Sequence, residues 1–183
     1  MKEDHYFIGL PVPDKVVEPL VEAQQHFDVE SRFKSVTQPE DFHITLLFFG
    51  GWENEKREQL WEVLKEKLKE EESVALTLRE ISSFGRPAEP RVLWAGLAYS
   101  KPLMALQKKM KDIAKKHDFP IEERPFTPHI TLAKTYTGEK PLRLQNLTTD
   151  LPQIGWDGQE VVLYKIHPQA KPKYERVDSI TLQ

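Results

Sequence analysis

The sequence predicts an α+β protein in which antiparallel strands carry helices on one side. Three observations support this fold class. Short apolar segments rich in β-branched and aromatic residues are interspersed with amphipathic helical segments, consecutive strands occur without a helix between them, and no glycine-rich phosphate loop follows any strand. A doubly wound parallel sheet would instead alternate strands and helices throughout. The 183 residues are enough for one domain with a sizeable core.

Seven segments are predicted to form strands because they are short, apolar and rich in strand-forming residues. They are residues 6–13, 42–49, 74–84, 91–99, 128–136, 159–168 and 174–183. We expect the last two to form a closing hairpin. The polar segments 31–41 and 85–90 are predicted to be loops.

Three segments are predicted helices with apolar residues at helical spacing on one side. The first runs from Asp14 to Phe27, and its Pro19 removes a backbone donor, which predicts a kink or a first turn there. The second covers about residues 54–72, and the third follows Ser100, whose hydroxyl can cap it. The predicted buried face of the third helix consists of Leu103, Leu106, Met110, Ile113 and His117.

The tetrapeptide His-Ile-Thr-Leu occurs twice, and its histidines at positions 43 and 129 are 86 residues apart. A Gly-Leu pair precedes each copy, beginning at Gly9 and Gly96. Each half therefore has the same order of strand, helix, loop and His-Ile-Thr-Leu strand. We interpret this order as an internal duplication within a single domain, residues 1–183, with copies at about 6–90 and 91–183 and a pseudo-two-fold axis between them.

Each repeated strand presents one imidazole and one hydroxyl on the same face, because side chains alternate along a strand. His43 and Thr45 form this pair in the first copy, and His129 and Thr131 form it in the second. Facing copies would create a cleft in which two imidazoles serve as general acid and general base while the hydroxyls donate to anionic oxygens. This combination suits phosphodiester chemistry without a metal or cofactor. The spacing does not assign which histidine is the acid.

The two motifs, in the contexts FHITLLFFG and RPFTPHITLAK, together with RVLWAG, resemble the 2H phosphoesterase superfamily. Within it they look like the RNA 2′,3′-cyclic phosphodiesterases, also called 2′-5′ RNA ligases. The resemblance extends over nearly the whole chain. It implies a bilobal fold with antiparallel sheets lining a central cleft, and hydrolysis of terminal 2′,3′-cyclic phosphates to 2′-phosphates. Some members of the family also join tRNA halves through 2′-5′ linkages.

The resemblance also implies a role for each motif residue. His43 would donate a proton to the leaving 3′ oxygen, and His129 would accept a proton from water. Thr45 and Thr131 would hold the non-bridging phosphate oxygens. Lys134 stands where this branch often has arginine and is a candidate phosphate contact, although strict alternation turns it away from the cleft and lysine lacks the bidentate fork of arginine.

Further candidate substrate contacts lie in loops beside the expected cleft. Phe84 and Phe126 are candidates for stacking on a terminal base, because RNA bases commonly stack on aromatic side chains. Arg124 is a candidate contact to RNA phosphate. The other loop cations with this role are Arg32, Lys34, Arg86 and Arg91. The aromatic residues expected by default in the core are Phe42, Phe48, Phe49, Phe84, Trp94 and Phe126, of which Phe84 and Phe126 are the preferred stacking candidates.

Composition excludes several functional classes. The absence of cysteine excludes a disulfide scaffold, a thiolate zinc site and a cysteine nucleophile, and a net charge of −3 gives no global field for nucleic acid. No signal peptide and no membrane span of about 18 apolar residues is evident, so we expect a cytoplasmic protein. We also expect a monomer, although the sequence does not report the oligomeric state.

Two alternative functions remain open at this point. One is a phosphodiesterase for a small cyclic phosphate or a 2′-5′ oligonucleotide, and the other is a non-catalytic module that binds RNA ends. A zinc site built from the two histidines and a carboxylate has no supporting motif spacing. The expected partner is RNA with 2′,3′-cyclic phosphate ends, with tRNA fragments among the candidates.

Overall fold

The computed structural model describes residues 3–144 and 150–183, and this part of the chain confirms the predicted α+β class. Its strands are β1 (Tyr6–Pro11), β2 (Phe33–Val36), β3 (His43–Gly50), β4 (Val74–Arg86), β5 (Glu89–Leu97), β6 (His129–Tyr136), β7 (Gly155–Gly158), β8 (Glu160–Ile166) and β9 (Tyr174–Thr181). Its helices are α1 (Asp14–His26), the single turn α2 (Val29–Arg32), α3 (Asn54–Leu68) and α4 (Lys101–Lys116), with a 3₁₀ turn at Pro39–Asp41.

The strands form one antiparallel sheet in the order β7-β4-β5-β6-β3-β1-β8-β9, and β2 pairs with β6. Two groups of four strands meet where β3 pairs with β6 through Ile44 and Ile130. These isoleucines occupy equivalent positions in the two repeated tetrapeptides, as a pseudo-two-fold axis requires. The two groups do not follow the halves of the chain, because β8 and β9 pair beside β1 while β4 pairs with β5. The duplication at about 6–90 and 91–183 stays a prediction.

The helices pack their apolar sides into one core cluster with the inner face of the sheet. The fully buried side chains include Val16 and Leu20 of α1, Leu60 and Leu64 of α3, and Met110 of α4. Burial of apolar surface at about 25 cal/mol per Å² supplies most of the driving force for this packing. None of the helices in the described ranges is long and apolar enough to cross a membrane.

Three local predictions were wrong in part. Residues 31–41 were predicted to be a loop, but Phe33–Val36 form β2 because the edge of β6 offers pairing partners, including Lys134 opposite Ser35. The loop predicted at 85–90 is a tight hairpin, in which Gly85 adopts a φ of +90° and the strands continue on both sides. Strand β7 was missed because its four residues are too short to show a pattern.

The helix predictions need two corrections. Pro19 lies inside α1 beyond its first turn, so the alternative that it starts the helix was wrong. His117 was assigned to the buried face of α4 but is exposed, since the helix ends at Lys116 and the His117 ring nitrogen Nδ1 bonds back to the carbonyl of Ile113 at 3.0 Å.

A β-bulge interrupts both motif strands at the same place. In β3, the register against β1 leaves Leu46 as an extra residue after Thr45. In β6, the register against β5 leaves Leu132 as an extra residue after Thr131. Both bulges place two successive buried residues after the His-x-Thr triplet. Alternation therefore restarts one position later than in a regular strand.

Glutamine side chains satisfy the carbonyls of both bulges. Gln107 of α4 donates from Nε2 to the carbonyl oxygen of Leu46 at 3.3 Å. Gln24 of α1 donates from Nε2 to the carbonyl oxygens of Leu132 at 3.0 Å and Thr37 at 2.9 Å. Gln24 is itself buried. The helices thus hold the bulges through side-chain amides, in addition to packing on the sheet.

Replacement of Gln24 by leucine should lower the free energy of unfolding by about 1–3 kcal/mol at nearly constant side-chain volume. The carbonyl of Thr37 loses the Gln24 donor, and the carbonyl of Leu132 keeps only its hydrogen bond from the Thr37 amide. Urea denaturation measures this difference. The matched control is Gln25→Leu, since Gln25 is the exposed neighbour on the same helix and its replacement should change stability by less than about 0.5 kcal/mol. Equal effects of the two substitutions would contradict a role for the amide.

Candidate active site

His43, Thr45, His129 and Thr131 lie side by side at the centre of the sheet. The pairing of Ile44 with Ile130, extended by one residue in each direction, places His43 opposite Thr131 and Thr45 opposite His129. The two histidines then occupy one diagonal of a four-residue patch, and diagonal neighbours in antiparallel sheets are roughly 7–8 Å apart, with a somewhat smaller separation between their Cβ atoms. The sequence prediction that both motifs face one cleft agrees with this geometry.

Equivalent hydrogen bonds hold the two imidazoles. Nδ1 of His43 lies 2.7 Å from the carbonyl oxygen of Asp41, and Nδ1 of His129 lies 2.8 Å from the carbonyl oxygen of Thr127. A carbonyl oxygen only accepts, so each Nδ1 donates and carries the proton of the neutral ring. In both histidines, Nε2 is therefore the atom that can take up and release a proton.

The two Nε2 atoms have different surroundings. The hydroxyl of Thr45 donates to Nε2 of His43 at 2.8 Å. Nε2 of His129 makes no hydrogen bond to any described residue. The second imidazole is thus free to accept a proton from a molecule in the cleft, whereas the first already accepts one hydrogen bond.

Aromatic side chains fix the orientation of both rings. The ring of His43 lies 4.6 Å from Phe7 and 5.2 Å from Tyr174, measured between ring centroids. The ring of His129 lies 5.0 Å from Phe84 and 5.7 Å from Trp94. Burial among these groups removes water from the imidazoles and disfavours their charged forms.

The pKa values of both histidines are lowered by this environment. Burial lowers the pKa of His43 to about 4, the hydrogen bond to Asp41 opposes this shift, and the charges of His129 and Lys134 add to it. Burial also lowers the pKa of His129, with the hydrogen bond to Thr127 opposing and the charge of Lys134 adding to the shift. Both rings are therefore largely neutral at pH 7 when no anion is bound. An anion beside Nε2 would favour the protonated ring.

Lys134 lies on the cleft side of β6, so the alternation argument that turned it away was wrong. The bulge at Leu132 restarts the alternation and directs Lys134 toward the side of the histidines. Its positive charge lowers the pKa of both imidazoles, which requires proximity. Desolvation and the charge of Lys173 lower the pKa of Lys134 itself.

Phe48 was predicted to be a core residue, but 56 % of its surface is exposed. It follows the bulge in β3 as Lys134 follows the bulge in β6, and both stand five residues after a motif histidine. The repeat alignment pairs these two positions. Neither position could be assigned to the cleft without the bulge, which has no marker in the sequence.

An aromatic cleft of about 710 Å³ opens beside the patch. Phe48, Phe84 and Phe126 line it together with Thr45 and His129. Phe84 and Phe126, the two stacking candidates from the sequence, therefore line the same cavity. The cleft offers apolar aromatic surface directly beside the imidazole and hydroxyl groups.

The predicted loop cations are dispersed around the site. Arg124 lines the aromatic cleft, where its guanidinium pairs with Glu122 at 2.5 Å, and Arg91 lines the same cavity. Lys34 lines a different cavity beside Lys134, and Arg32 lies with Tyr136 away from these two cavities.

Across residues 3–144 and 150–183, no group of three His, Cys, Asp or Glu side chains could hold a metal ion.

Comparison with known proteins assigns this chain to a family. The model of the 2′-5′ RNA ligase superfamily matches residues 12–170. The chain belongs to the 2′-5′ RNA ligase superfamily. This membership confirms the resemblance to the 2H phosphoesterases that the repeated motifs indicated.

Curated relatives and solved structures support the assignment. The chain is 30 % identical over 173 residues to the RNA 2′,3′-cyclic phosphodiesterase of Bacillus subtilis, covering 94 % of this chain and 93 % of that protein. It is 29 % identical to the protein of the same name from Geobacillus stearothermophilus and spans 58 % of its length, with all of this chain covered. The crystal structure of E. coli LigT complexed with 3′-AMP has a TM-score of 0.81 at 21 % identity, covers 98 % of each chain, and shows the same fold.

The lowered pKa of His43 predicts acid sensitivity. Its pKa falls from the ordinary 6.5 to about 4 on folding, so between these values the unfolded chain binds more protons than the folded one. Stability contributed by the neutral ring is complete above pH 6.5 and is lost as the pH falls toward 4. At about 1.4 kcal/mol per pKa unit, the upper limit of this loss is about 3.5 kcal/mol.

Urea unfolding at several pH values between about 8 and about 4.5 measures this loss. His43→Gln should flatten the decline in unfolding free energy at acid pH, whatever its effect at neutral pH. The matched control is His117→Gln, an exchange at the exposed end of α4 that should keep the wild-type slope. A wild-type slope in the His43 variant would show that another group causes the decline.

Proposed function

We propose that this protein hydrolyses the 2′,3′-cyclic phosphate ends of RNA to 2′-phosphates by acid–base catalysis between His43 and His129, without a metal ion. One observation carries this proposal. Two imidazoles, held in the same tautomer by equivalent carbonyl contacts, present Nε2 to a patch that also contains two threonine hydroxyls. The names of the relatives from Bacillus subtilis and Geobacillus stearothermophilus support the same substrate class.

In the proposed step, a water oxygen attacks the phosphorus while Nε2 of His129 takes its proton. The bond between phosphorus and the 3′ oxygen breaks, and Nε2 of His43 protonates that oxygen. Thr45 and Thr131 donate hydrogen bonds to the non-bridging oxygens, where negative charge accumulates. The product is a 2′-phosphate, and proton exchange with solvent returns both histidines to their starting states.

The contacts of the free protein support this division of roles. Nε2 of His129 has no hydrogen-bond partner among the described residues, so it can accept a proton from water directly. His43 is neutral in the free protein and acquires its proton together with the anionic substrate, which raises its pKa. A protonated Nε2 can no longer accept from Thr45, so the Thr45 hydroxyl becomes available to the phosphate.

The cavity walls suit a terminal nucleotide. Phe48, Phe84 and Phe126 provide stacking surface for its base, and Lys134 provides positive charge near the phosphate. A 5′-hydroxyl that takes the place of water would yield a 2′-5′ linkage in the same site. Fragments of tRNA are candidate substrates for both reactions.

The first test is incubation of the protein, in EDTA, with a short RNA that ends in a 2′,3′-cyclic phosphate. Wild type should produce a 2′-phosphate end. His43→Ala and His129→Ala should each lower kcat by about 10²–10⁴-fold with the fold retained, because each removes one proton-transfer partner. His117→Ala is the control and should retain wild-type activity.

Wild-type activity in either active-site variant would contradict the proposed chemistry. If the RNA is not hydrolysed but a cyclic mononucleotide is, the small-phosphate alternative is favoured. End-specific RNA binding without turnover would favour a binding module.

A substrate with sulfur in place of the 3′ oxygen separates the acid role of His43 from the base role of His129, since a thiolate departs without a proton. Activity on that substrate should return in His43→Ala and stay absent in His129→Ala.

Phe48→Ala should raise KM for a cyclic-ended RNA by about tenfold, because stacking of one base on an aromatic side chain contributes about 1–3 kcal/mol. Steady-state kinetics measures the change, and kcat should be affected less than KM. The control is Tyr99→Ala, since Tyr99 is an exposed aromatic residue outside the cleft. An unchanged KM in the Phe48 variant would place the base elsewhere.

A further inference from the structure

A second cavity, of about 420 Å³, adjoins the histidine patch and shares no lining residue with the aromatic cleft. Four lysines line it, and we call it the lysine pocket: Lys34, Lys134, Lys171 and Lys173. Strands β2 and β6 form one wall, and the segment between β8 and β9 forms the other. Tyr174 lines the lysine pocket and packs against the ring of His43, so the pocket lies next to the proposed reaction site.

The pocket lysines differ from most other lysines in their lack of counter-charges. Within the described ranges, eight lysines form ion pairs with carboxylates: Lys56, Lys65, Lys69, Lys108, Lys109, Lys111, Lys115 and Lys165. None of the four pocket lysines pairs with a described carboxylate. Lys173 and Lys134 repel each other, and the charge of Lys173 lowers the pKa of Lys134.

The carboxylates that line the pocket do not neutralise it. Glu30 and Asp41 are the two acidic residues in its wall. The Asp41 carboxylate is buried and accepts hydrogen bonds from the backbone amides of Lys173 at 2.8 Å and Tyr174 at 3.2 Å. The pocket therefore has excess positive charge in a chain whose formal net charge is −3. Ser35, Thr37 and Gln38 add polar groups to the same wall.

We propose that the lysine pocket binds an RNA backbone phosphate other than the phosphate that reacts. This inference rests on the proposed function, because it takes RNA as the ligand. Lysines act as point charges without bidentate geometry, which suits backbone contacts that do not read sequence. Lys134 lies between the reaction site and the pocket and links the two. The phosphate belongs either to the cyclic-ended strand or to a 5′-hydroxyl strand that replaces water in ligation.

The test compares wild type with the triple variant K34A/K171A/K173A, which retains Lys134 and the backbone amides that hold Asp41. The measured quantity is the ratio of kcat/KM for a cyclic-ended oligonucleotide to kcat/KM for a 2′,3′-cyclic mononucleotide. The ratio should fall about tenfold, and the slope of log affinity against log salt should decrease by about 0.7 for each phosphate that the variant no longer binds. The matched control K15A/K67A/K101A removes the same charge from exposed lysines outside both cavities.

A second arm identifies the strand. Joining of the cyclic-ended RNA to a 5′-hydroxyl oligonucleotide is measured in the same variants. A decrease confined to joining assigns the pocket to the 5′-hydroxyl strand, and a decrease in the hydrolysis ratio assigns it to the cyclic-ended strand. Both results support the proposal. The charge-preserving variant K34R/K171R/K173R should retain both activities.

A third arm separates this inference from the proposed reaction. Fluorescence anisotropy measures binding of a labelled RNA that ends in a 2′-phosphate, which requires no turnover. If wild type hydrolyses neither substrate, the proposed function is wrong. In that case, weaker RNA binding by the triple variant than by its control would still support phosphate binding in the lysine pocket. An unchanged hydrolysis ratio, unchanged joining and unchanged RNA affinity in the triple variant would overturn the inference.

Discussion

The paired bulges at Leu46 and Leu132 are the constraint on which the site depends. In a regular strand, the residue five positions after each motif histidine would lie on the face opposite to the histidine. One extra residue reverses this and interrupts the ladder of hydrogen bonds. Gln107 donates to the carbonyl of Leu46, and Gln24 together with the Thr37 amide donates to the carbonyl of Leu132. The packing of α4 and α1 on the sheet is thus coupled to the direction of the cleft residues.

The residues that follow the two bulges make a nearly symmetric site asymmetric. The imidazoles and hydroxyls are repeated across the Ile44–Ile130 pair, as two copies of one unit would produce. The positions after the bulges are not repeated, because one is Phe48 and the other is Lys134. We propose that Phe48 contacts a base and that Lys134 contacts a phosphate. In the proposed reaction, this asymmetry decides which way the RNA lies.

Burial keeps both histidines neutral in the free protein at pH 7. The aromatic shell removes water and keeps the rings neutral, while the carbonyl contacts leave Nε2 as the exchangeable position. A phosphate that enters the patch supplies the negative charge that a protonated imidazole requires. In the proposed reaction, binding of the anionic phosphate is therefore coupled to the uptake of one proton, which the charge of Lys134 disfavours in the free protein.

Local sequence patterns were enough to predict the α+β class and most strands and helices, and the repeated motifs were enough to predict the family. Alternation along a strand also predicts that each motif histidine shares a face with its threonine, and the roles of these four residues stay a prediction. The positions of Phe48 and Lys134 on the cleft side, the strand β2 and the grouping of the lysines are evident only in the folded chain. Those features depend on pairing register and on contacts between segments far apart in the chain. The sequence pattern of one segment contains no information on pairing register or on contacts with distant segments, since a bulge and a cavity wall are formed by several segments together.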